Sequence, residues 1–246
     1  MNENMYEAMY EIEKTHWWFR AKREIVLSII DPFANKQTII DFGCGTGIML
    51  ESLCKTGEAT GLDFSEKALE FCRKRVNVQL VQANLSEKLP FVSEYDIGVA
   101  LDVLEHLEDD LVALKNVKSA LNHGGKLIIT VPAFMFLWSA HDENCAHKRR
   151  YRIKELEALI KKSGLEIEYL SYYNFWLFPI IAMLRCFSKV FNTNKDSGME
   201  NKINSKIINT LLYRILKSEE LFIRNRVKLP FGVSLIAILR RDECAG

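Results

Sequence analysis

A chain of 246 residues, 48% hydrophobic and 26% charged, is long enough for one large domain and has an ordinary globular composition. Its net charge of +1 gives no ground for expecting a nucleic-acid partner. The six cysteines (Cys44, Cys54, Cys72, Cys145, Cys186, Cys244) show neither CxxC pairing nor zinc-type spacing with histidine, which argues against a metal-stapled module.

In chain order, the acidic start has no apolar h-region and is not a secretory signal, so free thiols predict a reducing, cytoplasmic setting. Residues 1–37 are expected to be helical, with Trp17, Trp18 and Phe19 crowded before an apolar pattern at Ile25, Val26, Ile29 and Ile30. The run 38–42 (TIIDF) reads as a buried parallel strand ending in glycines, followed by a helix from about Ile48. A second strand is expected at 58–63 (EATGLD). Ser65 has the chemistry of an N-cap for a helix reaching about Arg75. Strands at 78–82 and 95–101 come next, then a helix over 108–121 stopped by Gly124-Gly125, a strand at 126–131 ended by Pro132, a helix at 153–162 and a strand at 165–170. This alternation predicts a parallel doubly wound sheet with helices on both faces. Outside that rhythm lies an insertion at 172–230. It holds an apolar run (175–184), a polar stretch (192–204) and one amphipathic helix through Ile207, Leu211, Ile215 and Phe222, before a last strand at 233–239. The expected organisation is a single domain: a helical N-terminal lid (1–37), a core (38–171), a helical cap (172–230), and a last strand with its tail (231–246).

The sharpest motif is Asp41-Phe42-Gly43-Cys44-Gly45-Thr46-Gly47. Glycines at a strand end let the backbone turn tightly and approach a ligand, with a helix N-terminus behind them. Asp63, closing the second strand, stands where a carboxylate accepts hydrogen bonds from both ribose hydroxyls of an adenosine group. The GxGxG spacing departs from the GxGxxG of dinucleotide folds and lacks the GK[ST] of a phosphate loop. Asp41 is poor company for a pyrophosphate but suits the amino group of a methionine moiety.

Four blocks in order, DFGCGTG, GLDFSEKALEFCRKR, LPFVSEYDIGVALDVLEHLEDD and LNHGGKLIITVPA, resemble the class I S-adenosylmethionine-dependent methyltransferases. The resemblance implies a Rossmann-like seven-stranded sheet and S-adenosylmethionine as cofactor. In that reading Asp41, Gly43, Cys44, Gly45 and Gly47 contact the cofactor, Asp63 holds its ribose, Phe64 flanks the adenine, and Leu101 closes the site from the fourth strand. Asn84 stands where the family usually has an aspartate for the adenine amino group, so that contact is carried by Asn84 or lost. The motifs HWWFR at 16–20, LWSAHD at 137–142 and HKRRY at 147–151 resemble a bacterial and archaeal subgroup of these enzymes. The aromatic cluster is then a lid, with Arg20 on the cofactor's carboxylate, or it is simply core.

Methyl transfer is an in-line displacement whose sulfonium leaving group needs no acid, so catalysis is positioning plus a base where the acceptor must lose a proton. The candidate bases are Asp102, Glu105 and His106 after the fourth strand and His141 and His147 after the fifth, with His106 and His147 favoured because a neutral imidazole suits proton removal near neutral pH. Asp102-x-x-Glu105-His106 followed by His147 also resembles the metal-binding pattern of small-RNA 2′-O-methyltransferases. A divalent ion is therefore a hypothesis rather than the expectation. Between Arg185 and Lys228 there are ten Lys/Arg against four Asp/Glu, so this part of the insertion is cationic and the rest of the chain anionic. Its helices either cap the site or lie on an anionic lipid surface, which places the protein in the cytoplasm or peripherally at the inner membrane face. The reading is O-methylation of a small-molecule or lipid-like hydroxyl, with N- or C-methylation left open and no nucleic-acid partner expected. The rivals are a nicotinamide-dependent oxidoreductase and a non-catalytic membrane- or protein-binding module with a Rossmann-like shell.

Overall fold

The computed structural model describes residues 3–30, 37–190 and 205–242, and the polar stretch expected at 192–204 lies outside them. Two helices, α1 (Glu3–Ile12) and α2 (Trp17–Ile30), precede the alternating core. That core runs β1 (Thr38–Phe42), α3 (Ile48–Leu53), β2 (Glu58–Asp63), α4 (Glu66–Arg73), β3 (Leu80–Gln82), β4 (Tyr95–Leu101), α5 (Asp110–Ala120) and β5 (Leu121–Pro132). It continues with a short α6 (Ala140–Asn144), α7 (Ile153–Ser163) and β6 (Leu165–Tyr173). The helices α8 (Phe178–Val190), α9 (Lys206–Lys217) and α10 (Glu220–Arg224) lead to β7 (Ser234–Arg241).

The seven strands form one sheet in the order β3-β2-β1-β4-β5-β7-β6. β1 lies between β2 and β4, with Ile40 opposite Thr60 on one side and Gly98 on the other. Winding reverses there, which makes the carboxyl ends of β1 and β4 the place where sheets of this kind bind ligands. Apolar side chains fill both faces. Ile39, Val99, Ile128 and Ile236 pack beneath α2, α3 and α4, while Phe42, Leu127, Ile129 and Leu239 pack beneath α5 and α7. Burial on both faces is why these strands read as near-continuous apolar runs.

Three expectations are corrected. The sheet is not wholly parallel, because β7 runs antiparallel between β5 and β6. Ser234 pairs with both Pro132 and Tyr173, so β7 starts at the edge where its two neighbours end and can only run back. Second, Gly124-Gly125 does not separate a helix from a strand. Leu121 follows α5 in extended conformation and already pairs with Tyr95, so the glycines lie inside β5, where Gly124 takes φ 74° at an irregular register. Third, the single amphipathic helix expected after 206 is two helices broken around Ser218 and Glu219. Glu219 is wholly buried and accepts backbone N–H bonds from Asn174 (2.6 Å), Phe175 (2.8 Å) and Trp176 (3.2 Å). One carboxylate thus clamps the β6–α8 turn to the α9–α10 junction.

The N-terminal helices lie on the same face as this cap. Asn209 of α9 accepts from the Trp17 N–H (2.8 Å) and donates to the Thr15 carbonyl (2.8 Å), while the Tyr213 hydroxyl donates to Glu24 (2.6 Å). Trp18 stacks on Tyr173 of β6 at 5.8 Å, so the tryptophans are packed against the core beneath them.

Candidate functional site

The loop after β1 is held open by three left-handed glycines, at φ 76° (Gly43), 53° (Gly45) and 87° (Gly47). Two of them also face walls. A Cβ on Gly43 would lie 2.5 Å from Val103, and one on Gly47 would lie 2.5 Å from the Cys72 Sγ. A Cβ on Gly45 would meet nothing within 4 Å, so the loop's middle faces open space. Cys44 is turned inward and buried, and Leu101 packs partly buried against the same core. The N–H groups of Gly43 and Cys44 donate to the Leu62 carbonyl, tying the loop to β2.

Asp63 completes the crevice. Its Oδ2 accepts from the Gly45 N–H and its Oδ1 from the Ser65 N–H, both at 2.8 Å. Each oxygen retains a lone pair, so ribose hydroxyls can be added without breaking these bonds. Burial pushes its carboxyl up, against three backbone N–H bonds that pull it down. The next ring, Phe64, is 71% exposed, a flat apolar face beside the crevice. Asn84 is engaged locally, donating to Glu87 and accepting from the Ser86 N–H. Asp41 is buried beneath the loop, with its Oδ2 lacking a partner among the described residues. Burial and the neighbouring Asp63 push it up to about 7. An orphaned carboxylate, a glycine bordering open space and an exposed ring fit a ligand that is cationic at one end and carries a ribose and a base at the other.

Helix α1 covers the same loop. Just past its end, the buried Glu13 accepts from the Thr46 hydroxyl and from Arg75 (3.2 Å). Arg75 also donates to the Tyr10 carbonyl (2.6 Å) and lies 4.1 Å over the Tyr10 ring. Tyr6 lies within reach of Ser65 and Asp63, and burial pushes its hydroxyl up. The side chain expected at the cofactor's carboxylate, Arg20, lies 4.3 Å over the Tyr213 ring of α9. Lys22 carries the cation to the strand ends, donating to the Asp102 Oδ2 at 2.7 Å.

Asp102 sits just beyond β4 at φ 56° and also accepts from Thr130 (2.9 Å). Burial opposes its charge, but Lys22, Thr130 and His147 outweigh it and hold the carboxyl below its usual range. The turn Leu104–His106 then places Glu105 and His106 beside His147, which follows α6, so that one ligand atom from each lies within 4.8 Å of the others. Glu105 is wholly buried, neither carboxyl oxygen has a partner among the described residues, and burial with Asp102 raises it well above the carboxylate range. Burial and then His147 push His106 down to about 4, so it is neutral near pH 7. The His106 and His147 rings meet edge to face at 4.7 Å, and His141 lies 6.0 Å from His147. Asp142, unremarked as a site residue in the sequence, anchors this side. It accepts from His147 Nδ1 (2.9 Å) and from Arg150 Nε (2.8 Å) and Nη2 (2.9 Å). Its only local signal is the Ser139-x-x-Asp142 spacing of a helix start.

A glycine loop at the switch point of a mostly parallel sheet, with an acid closing the next strand, defines an adenosine-binding α/β protein. A methyltransferase domain family matches residues 40–129. The ubiquinone biosynthesis O-methyltransferase of Hydrogenovibrio crunogenus is 31% identical over 180 residues, spanning 61% of this chain and 74% of that protein. A probable S-adenosylmethionine-dependent methyltransferase of Mycobacterium tuberculosis is 27% identical over 159 residues, which are 63% of this chain but 57% of its own length. The fold is shared with phosphoethanolamine N-methyltransferase 2 of Haemonchus contortus in complex with S-adenosyl-L-methionine (TM-score 0.59, 18% identity, 90% of this chain and 52% of that one). It is also shared with an S-adenosylmethionine-dependent methyltransferase of Mesorhizobium loti (TM-score 0.57, 18% identity, 88% and 96%). The chain belongs to the S-adenosylmethionine-dependent methyltransferases.

Proposed function

We propose that the protein transfers the methyl group of S-adenosylmethionine to a hydroxyl of a small or lipid-like acceptor. The observation that carries the cofactor half is Asp63, whose carboxylate bridges Gly45 and Ser65 beside the open crevice and the exposed Phe64. When bound, the cofactor supplies an electrophilic methyl on a sulfonium. Asp41, Gly43, Gly45 and Gly47 would hold its methionine end and Phe64 would flank the adenine. Asn84 would meet the adenine amino group only by leaving its local bonds to Glu87 and Ser86, and Arg20 is a candidate for the carboxylate on its motif alone. The HWWFR motif supports membership of the bacterial and archaeal subgroup in the same way.

The acceptor half rests on the second cluster. Asp142 only accepts hydrogen bonds, so a neutral His147 carries its proton on Nδ1 and presents Nε2 as an acceptor for the substrate hydroxyl proton. His106, neutral at pH 7, hydrogen-bonds as a weak base beside it. The O-methyltransferase relative favours a hydroxyl. Amphipathic acceptors are met at membranes, and the 172–230 region is the part of this chain suited to that encounter. A second reading follows from the orphaned Glu105 carboxyl with His106 and His147, a donor set suited to a divalent cation that would polarise the acceptor.

Calorimetric titration with S-adenosylmethionine, with NADH in parallel and Asp63→Ala as control, tests the central claim. Saturable binding weakened by the substitution, without NADH binding, is expected; NADH binding alone would overturn the cofactor assignment and favour the oxidoreductase alternative. Titration of the chelator-washed protein with MnCl2, followed by electron paramagnetic resonance, tests the second reading. A signal unchanged by Glu105→Gln would remove it.

A further inference from the structure

Helix α8 has an outward face made of Ile180, Met183, Leu184 and Phe187, at the i, i+3, i+4, i+7 spacing of one helical stripe. These side chains are 54–60% exposed, and Trp176, one turn before, is 49% exposed. A face of this kind is not what an ordinary solvated helix presents. Its inner side is fixed to the candidate site, since Arg185 donates to the Leu137 carbonyl and lies 3.9 Å from Asp142, the residue that holds His147. Lys189 likewise donates to the Phe136 carbonyl (2.9 Å), and both Phe136 and Met135 remain about half exposed beside it.

Charge selects the occupant. Neither α8 nor α9 contains a carboxylate; Arg185 is turned inward and Lys217 is paired with Glu24 and Glu220, which leaves Lys189, Lys206 and Arg214 as their exposed cations. Helix α9 repeats the pattern, with Ile207 (82%), Ile208 and Leu211 exposed beside Lys206 and Arg214. Trp176, at the entry to α8, packs toward Phe222 of α10, after which Arg224, Arg226 and Lys228 are all exposed. Exposed large apolar side chains interleaved with cations, with Glu220 of α10 already paired to Lys217 and Arg224, match the interface of an anionic bilayer. No helix among the described residues is long and apolar enough to cross a membrane, which leaves binding in the plane of the surface.

We infer that the outward face of α8, with the cationic apolar surface of α9, docks on an anionic lipid bilayer and sets the Asp142–His147 side of the site against it. This rests on the reading above that the acceptor is amphipathic, and it commits that acceptor to arrive from the lipid phase.

Flotation with phosphatidylglycerol/phosphatidylcholine vesicles, against pure phosphatidylcholine, tests it, with S-adenosylmethionine binding measured on the same samples. The protein is expected to float with the anionic vesicles, at least about tenfold less with the neutral ones, and to be released by roughly 0.5 M salt. The exposed double substitution M183E/L184E should abolish flotation while leaving cofactor binding and the melting temperature in place. Wild-type protein that binds cofactor but stays unbound, or floats equally on both vesicles, overturns the inference. So does a dimer that M183E/L184E dissociates, since a second copy then covers the face. Flotation without cofactor binding would instead leave it standing and count against the methyltransferase reading.

Discussion

Carboxylates at this site do opposite things according to their partners. Asp102 and Asp142 face Lys22, Arg150 and His147 and stay ionised, whereas Asp41 and Glu13 are held up to about 7 chiefly by burial. The linkage has a definite sign. Between their ordinary values near 4 and about 7 the folded protein binds protons that the unfolded chain releases, so these groups lose stability as pH rises through that window. The melting temperature should fall between pH 5 and pH 7.5, and Glu13→Gln, which keeps an oxygen for Thr46, should flatten the slope. A second consequence concerns the ligand. A cation bound beside Asp41 favours its ionised form, so cofactor binding near pH 6.5 should release a proton, visible as a binding enthalpy that changes with buffer. Asp41→Asn should erase that dependence. The glycine loop and Asp63 were legible in the sequence because each is a strand-end signal read within a few residues. Lys22, Glu13, Arg75 and Arg150 were not, since their partners lie between eight and eighty positions away.

At the scale of elements, local rules located most strands and missed where elements change direction. Thr38–Phe42 and Tyr95–Leu101 stand out as short β-branched or apolar runs bounded by turn residues. The amphipathic pattern after 206, by contrast, continues unbroken through a real break, because periodicity is blind to a carboxylate that finds three backbone donors elsewhere. Glu219 is therefore worth more than its place in a helix suggests. Glu219→Ala should strand three N–H groups and cost about 3 kcal/mol or more in urea unfolding, with faster amide exchange at Asn174, Phe175 and Trp176. Gly47→Ala should also destabilise, because its φ of 87° and the Cys72 sulfur leave no room for a methyl group. The loss should appear in cofactor affinity as well as in melting temperature, since Gly47 opens both the loop and α3.

For the whole molecule, the alternation of strands and helices was enough to announce a doubly wound sheet, while the order that sets β1 beside β4 came only with the structure. Nor was the direction of β7 legible, since nothing in the 233–239 run distinguishes a strand that enters at one end of its neighbours from one that enters at the other. Ligand linkage supplies a global check. At about a hundredfold excess over Kd, S-adenosylmethionine should add about 2.7 kcal/mol to unfolding, and Asp63→Ala should lose most of that gain. β7 carries one more consequence. It is inserted between β5 and β6, and most of its side chains are buried. Until residues 234–241 have left the ribosome, the nascent chain therefore holds two strands whose partner does not yet exist. Their unpaired edges are a template for other chains. Of the strands in this sheet, the last in chain order is the one that seals it, so synthesis stalled shortly before it should give a product that chaperones retain rather than one that folds with a loose end.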